Sequence, residues 1–484
     1  MSELDDSTGI QRARKKVRMG SARVVASLLT TVTLVGAALL GISWRFVDQV
    51  ATSVTPIPNE HEISPLSAPI LNARRNPLTL SHDVRFRPLQ TKLQMLSNRL
   101  PANSCFNVDI EGSRIISVNG DSSVMPASNM KIVVAAVALE ILTPEHVFTT
   151  KLLGKIAGNS IVGDAYLVGG GDPVLISGDY PSTEPYPTFN YTRIEGIRDA
   201  LAEKGISAIS GSIVGDETRY DIERYTPSLG LGIKGTEVGP LGSLMVNDGS
   251  ITGNPIKPDN PALGASTELT NIFTNSGIVV SGTPKAGIAP TDLPVIAQID
   301  SLPLSEILAE MLTNSDNNTA ELLVKEIGYV TSGSGTRISG IEAIKAQLVE
   351  WGIPLDALNF IDGSGLDRDN RLTCNALSAL LNRDAGFGPI GLGLATAGQT
   401  GTLRDVLVDT LGAGKLRGKT GTLTGAKALS GFVPYSQDLA SSFTLILNSP
   451  NASNQTTYRP LWNELSNVLG GFSSSPTADD LVPK

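Results

Sequence analysis

Three short polar motifs constrain this chain more than any other feature. They are Ser128-Asn129-Met130-Lys131, Ser315-Asp316-Asn317 and Lys419-Thr420-Gly421, in that order. The first opens a strongly apolar run that begins after Pro126 and reaches Leu142. Met130, Val133, Val134, Val137 and Ile141 share one side of the helix this run predicts. The second motif precedes another helical run, and the third begins a strand-like alternation from Gly418. A fold that uses all three must gather two helix starts and a strand from distant parts of the sequence.

Each motif has a chemical reason. The i, i+3 spacing puts Ser128 and Lys131 on one helix face, a turn apart. A serine hydroxyl is a weak nucleophile until a base takes its proton. A lysine amine can be that base when burial or a neighbouring cation lowers its pKa. Ser315 can pass a proton between Lys131 and a leaving amine, and the Asn317 amide suits a substrate peptide bond. Lys419, Thr420 and Thr422 suit a substrate carboxylate, and a strand edge at Lys419-Thr420-Gly421 can pair with an extended peptide. The backbone N–H groups of Ser128 and Thr422 are the expected oxyanion hole. The pattern S-x-x-K alone recurs by chance, but the three motifs in order, on helix, helix start and strand, form a strong signal.

Charge and composition narrow the classes. The net charge is −9. The first 45 residues carry seven basic side chains against three acidic ones, so the body of the protein is acidic. That argues against nucleic-acid binding, which needs a basic face. The three histidines, His61, His82 and His146, are scattered, and there are two cysteines, which argues against a zinc hydrolase.

The organisation reads as follows. Residues 1–23 are a basic cytoplasmic segment. Val24 to Trp44 is uncharged and long enough for a membrane-spanning anchor; a cleaved signal peptide is the alternative. Residues 45–83 are a Pro-rich linker. Residues 84–150 and 290–470 carry the motifs, and residues 151–289 read as a Gly-rich, mostly β insertion. Residues 471–484 are a polar, disordered tail. Cys105 and Cys374 are expected to pair outside the cytoplasm, with two buried thiols as the alternative. Within this frame a hairpin is predicted at 106–118, with helices at 192–204, 303–328, 340–352 and 459–469.

The motifs resemble those of the serine D-alanyl-D-alanine carboxypeptidases and endopeptidases, the class C low-molecular-mass penicillin-binding proteins. The stretches Leu167 to Pro173, Gly211 to Asp216, Asp362 to Leu366 and Leu429 to Val433 read like the same family. The resemblance spans roughly residues 85–470. It implies an α/β penicillin-binding fold, like that of β-lactamases and DD-peptidases, split by an insertion between the first two motifs. It implies cleavage of peptidoglycan stem peptides through a Ser128 acyl-enzyme, and leaves open whether the chain trims terminal D-alanine, cuts cross-links or does both. β-Lactams are then covalent inhibitors, and no metal or organic cofactor is required. The rival readings are a β-lactamase and a non-catalytic penicillin-binding scaffold. The chain departs from the family between Asn247 and Asn260, which is short where relatives carry a further β-rich module, so a single compact inserted domain is expected. The Asp362 to Leu366 stretch is placed beside the cleft without a chemical role.

Overall fold

The computed structural model describes residues 77–178, 180–254 and 256–473, together with Ser27, residues 29–40 and Ile42. Helix α1 (Pro77–Ser97) begins inside the stretch expected to be linker. The predicted hairpin forms as strands β1 (Cys105–Ile110) and β2 (Ser113–Val118). A short 3-10 turn, Ala127–Asn129, leads into helix α2 (Met130–Leu142).

The second half supplies helices α3 (Leu304–Asn314), α4 (Asn317–Ser332), α5 (Arg337–Glu350) and α6 (Cys374–Asp384). It also supplies strands β3 (Ala395–Thr396), β4 (Arg417–Leu423), β5 (Ala426–Pro434) and β6 (Ala440–Asn448), and helix α7 (Gln455–Gly470). These strands and the hairpin form one antiparallel sheet in the order β3-β4-β5-β6-β1-β2.

The middle of the sheet is covered on both faces: β1 is buried throughout, and β5 and β6 along nearly their whole length. The twofold side-chain period still sorts them. Leu429, Val433, Leu445 and Phe443 join Leu93, Leu96, Trp462 and Leu465 in a core under α1 and α7. Ala428, Phe432 and Ile446 face a second core, built from α2 to α6. Helix α2 is the axis of that core: every residue from Met130 to Ala138 is buried. It is therefore apolar all round rather than on one stripe, because other helices surround it. A disulfide joins Cys105 on β1 to Cys374 at the start of α6.

Residues 149–300 form a seven-stranded mixed sheet with strands at Thr149–Ala157, Ser160–Val168, Ile213–Asp216 and Val295–Asp300. Two helices, Glu195–Glu203 and Pro261–Asn275, pack on it. Their contacts give this part its own apolar core, including Leu152, Ile197, Leu201, Leu269 and Phe273. The chain from Asn247 reaches the helix at Pro261 through a 3-10 turn and a short loop.

The membrane anchor expected at Val24–Trp44 does not stand. Among the described residues, no helix is long and apolar enough to cross a membrane. The unbroken described helical stretch there is 29–40. The single-pass placement, with the N-terminal helix as a membrane partner, is corrected accordingly. The basic segment 1–23, residues 45–76 and residues 474–484 lie outside the described residues.

Candidate active site

The turn that carries Ser128 is held between two glycines. Ala127, immediately before Ser128, has φ +48°, a left-handed conformation unusual for a side chain with a Cβ. Such strain persists where surrounding structure imposes it. A Cβ on Gly365 would sit 2.0 Å from the Ala127 carbonyl oxygen, and Gly365 itself has φ +82°. On the other side, a Cβ on Gly421 would sit 3.0 Å from the Pro126 carbonyl oxygen. This is the physical reason for glycine in the third motif: the strand runs against the backbone of the turn. Asn129 completes the clamp, its Nδ2 donating to Ser430 Oγ on β5 at 2.7 Å.

Ser128 lies on the wall of a cleft of about 490 Å³, with Ser315, Asn317, Thr420 and Thr422 on the same lining. Lys131 is fully buried beside it. Its Nζ lies 3.1 Å from Ser128 Oγ, 2.7 Å from Asn317 Oδ1 and 2.8 Å from the Ser364 carbonyl oxygen. Burial pulls the Lys131 amine down to about 8, against the upward pull of Asp316, Glu321, Asp362 and Glu237. A neutral amine has two N–H bonds and one lone pair. The Asn317 and Ser364 oxygens can only accept, so they take the two N–H bonds. The lone pair is left facing the one partner that can donate, the Ser128 hydroxyl.

The second motif arrives as a helix junction. Ser315 ends α3 with φ +67°. Asp316 caps α4, accepting from the backbone N–H groups of Asn318 and Thr319. Burial first, then Asp248, pushes the Asp316 carboxyl up. Asn317 bridges the lysine to the inserted part, since its Nδ2 donates to the Glu237 carbonyl oxygen at 2.6 Å. Nδ2 carries a second hydrogen that this bond does not use, and Asn317 lines the cleft. Asn318 ties down the same wall, donating to Asp248 at 2.6 Å and accepting from the Gly239 N–H at 2.7 Å. Ser315 lines the cleft but is not among the three partners of Lys131 Nζ.

The third motif divides its labour. Lys419 is fully buried, and its Nζ donates to the Thr420 carbonyl oxygen at 3.0 Å. It has no ion-pair partner among the described residues. Burial, then the charges of Lys131 and Lys427, push its amine down. Thr420 Oγ1 donates to Thr402 Oγ1 at 2.9 Å, and Thr422 is exposed at the cleft.

Reasoning from the sequence passed over the Asp362–Leu366 loop as chemistry. The loop places the Ser364 carbonyl on Lys131 through buried carboxylates. Glu321 Oε1 accepts from the N–H groups of Gly363 and Ser364 at 3.1 and 2.7 Å. Asp362 accepts from the N–H groups of Gly365 and Asp367 at 2.8 and 2.7 Å. Burial first, then Glu321, pushes the Asp362 carboxyl up. A usable signal was present: a glutamate on the apolar face of α4, and two aspartates flanking a Gly-Ser-Gly turn. The Glu237 carbonyl left no such signal.

Comparison with known structures defines the fold class. The chain matches the crystal structure of penicillin binding protein 4 (dacB) from Haemophilus influenzae with a TM-score of 0.63 at 19% identity, covering 78% of this chain and 99% of that one. It matches a predatory peptidoglycan endopeptidase from Bdellovibrio bacteriovorus with a TM-score of 0.53 at 18% identity, covering 78% and 94%. The fold is thus that of the penicillin-binding proteins. Sequence comparison adds the family. The model of the D-Ala-D-Ala carboxypeptidase 3 (S13) family matches residues 99–252 and 242–465, and the chain belongs to that family. A D-alanyl-D-alanine carboxypeptidase of Actinomadura sp. (strain R39) is 28% identical over 408 residues, covering 67% of this chain and 73% of the relative. Carboxypeptidase DacB of Mycolicibacterium smegmatis is 29% identical over 349 residues, covering 68% and 73%. The protein is a serine-type D-Ala-D-Ala carboxypeptidase with the fold of the penicillin-binding proteins.

Proposed function

We propose that this carboxypeptidase works through an acyl-enzyme on Ser128 and trims the terminal D-alanine of peptidoglycan stem peptides. The observation that carries this reading is the wiring of Lys131: its Nζ lies 3.1 Å from Ser128 Oγ, and once the amine is neutral Ser128 is the only one of its three partners able to donate to the lone pair. Lys131 accepts the hydroxyl proton as Ser128 Oγ attacks the carbonyl carbon of the penultimate residue. The oxyanion that forms faces the backbone N–H groups of Ser128 and Thr422. The C–N bond then breaks, and the proton held on Lys131 passes to the departing amine by way of Ser315. Water then attacks the acyl carbon and gives a proton to Lys131; the C–O bond to Ser128 breaks, and Lys131 returns that proton to Ser128 Oγ. The same chemistry cuts the equivalent bond in a cross-link, which is the endopeptidase activity.

Lys419 completes the cleft by its charge. A buried amine without an anionic partner is costly to protonate. A substrate bringing its own carboxylate supplies that partner, so the site favours a free C-terminus. β-Lactams carry a carboxylate and a strained amide in the same relation, and we infer that they acylate Ser128 covalently.

The test is to incubate the full chain with a fluorescent penicillin beside Ser128→Ala and read the intact mass. One stable adduct per chain, lost in the variant, together with D-alanine release from an acylated tripeptide, is the expected result. Rapid destruction of the antibiotic without an adduct would identify a β-lactamase. Neither adduct nor destruction would indicate a non-catalytic scaffold.

A further inference from the structure

One buried cation near the cleft has no role in the chemistry described so far. Lys427 lies on β5 directly across from Thr422 on β4. Its Nζ donates to Thr422 Oγ1 at 2.7 Å. The ammonium is also set against two aromatic faces of α7, 4.3 Å from the Tyr458 ring centre and 4.9 Å from that of Trp462. Cation–π contacts of this kind steady a cation without neutralising it. Lys427 is 9% exposed. It has no ion-pair partner among the described residues.

The consequence lies in the hydroxyl of Thr422. An ammonium can only donate, so Thr422 Oγ1 is the acceptor in this bond. Its single O–H must then point elsewhere, and Thr422 is exposed on the cleft wall. The neighbouring hydroxyl on the same strand edge is already committed, because Thr420 Oγ1 donates to Thr402. Thr422 is therefore the threonine of β4 with a hydrogen to offer a ligand.

We propose that Lys427 is a positioning residue: it turns the Thr422 hydroxyl into a fixed donor to the free C-terminal carboxylate of the substrate, and holds an unneutralised positive charge behind it. This rests on the reading that the cleft takes a peptide ending in a free carboxylate. It assigns a specificity role to a residue outside the three motifs, reached through strand register and the aromatic pair on α7. An amide C-terminus carries no negative charge, so neither the hydroxyl nor the charge discriminates in its favour.

The experiment compares an acylated L-Lys-D-Ala-D-Ala tripeptide with its C-terminal carboxamide. D-Alanine or D-alaninamide release is measured for wild type, Lys427→Met, Thr422→Val, the double variant and Lys427→Arg. In wild type the ratio of kcat/KM for carboxylate over carboxamide is high. Lys427→Met and Thr422→Val each lower that ratio about tenfold, the scale of a hydrogen bond to a charged group. The loss falls mainly on KM for the carboxylate substrate. The double variant is no worse than either single one, and Lys427→Arg keeps most of the preference. Stoichiometric labelling by the fluorescent penicillin shows that each variant has an assembled site.

A merely structural lysine would slow both substrates alike and leave the ratio unchanged; that result overturns the proposal. Additive losses in the double variant overturn it as well. Wild type that releases D-alanine while Lys427→Met keeps its full preference refutes this proposal alone. Wild type that releases no D-alanine refutes the functional reading and this proposal with it.

Discussion

The Ser364 carbonyl oxygen accepts a hydrogen bond from Lys131 Nζ at 2.8 Å. In the proposed mechanism this backbone contact is what would make the lysine a directed base. Without it, the neutral amine could rotate an N–H toward Ser128 and its lone pair away. With it, and with Asn317 Oδ1 at 2.7 Å, the lone pair has one direction left. The pairing also explains why a charged residue is tolerated inside α2: each hydrogen of the buried amine has an oxygen.

The pH profile follows from the state of Lys131. In the proposed mechanism the base is the neutral amine, and burial lowers its pKa to about 8. The neutral fraction therefore shrinks about tenfold per pH unit as the pH falls below that value. The rate of acylation by a penicillin, measured in single turnover from pH 5.5 to 8, rises with pH along that slope. A flat profile over this range would rule Lys131 out as the base.

Replacing the base by a permanent cation isolates its role. Lys131→Arg keeps charge and reach but offers no lone pair at any working pH. Acylation should slow by roughly 10²–10⁴, the usual worth of a general base. Intact-mass time courses with excess penicillin read this directly.

Glu321 acts on the site at one remove. It holds the Gly363 and Ser364 N–H groups, and its charge raises the Lys131 pKa. In Glu321→Gln the amide oxygen still accepts those bonds, while the charge is gone. The Lys131 pKa then drops, and the rising limb of the acylation profile moves to lower pH. Glu321→Leu strands both N–H groups in the interior, at about 1–3 kcal/mol each. That variant should lose thermal stability as well as activity. An unmoved limb in Glu321→Gln would rule out this electrostatic coupling.

Gly365→Ala tests the fit of the nucleophile turn. The new Cβ meets the Ala127 carbonyl oxygen at 2.0 Å, and the residue has φ +82°. Together, strain and overpacking cost about 2–4 kcal/mol. Penicillin acylation should fall further than the melting temperature suggests, because relief of the clash displaces the residue before Ser128. Gly112→Ala, also at positive φ but with nothing near its Cβ, is the control that carries strain without the clash.

The Cys105–Cys374 bond closes a stretch of 269 residues that contains the whole inserted sheet. Its removal in a Cys105→Ser, Cys374→Ser double variant should cost about 2–5 kcal/mol by releasing the unfolded chain. Chemical denaturation with and without reductant measures it. Penicillin labelling of the folded fraction should persist, because the bond joins β1 to α6 rather than to the catalytic turn.

Much of this architecture was legible because it is written in side chains. The hairpin at 106–118 and the helix after Pro126 show their periods in a single stretch. The strands after Gly418 do so as well. Helix α1 escaped because Pro88 interrupts its pattern and its apolar contacts, Phe86, Leu89 and Leu93, meet residues near the other end of the chain. The apparent stripe on α2 misled in the opposite sense, since partners on all sides bury the whole helix. The uncharged run after Arg23 suggested a span by composition alone, and among the described residues no helix is long and apolar enough to cross a membrane.

The order and chemistry of the three motifs, the pair of cysteines and the family resemblance were settled by residue identity, since hydroxyls, amines and amides carry their reactivity wherever they are placed. Direction and strength were decided by tertiary structure. The Lys131 amine is lowered because neighbours from distant segments exclude water around it. It is aimed because the backbone carbonyl of Ser364 and the side chain of Asn317 converge on it. A carbonyl is common to every residue, so no sequence pattern announces which one will be used. Only the packed chain decides that.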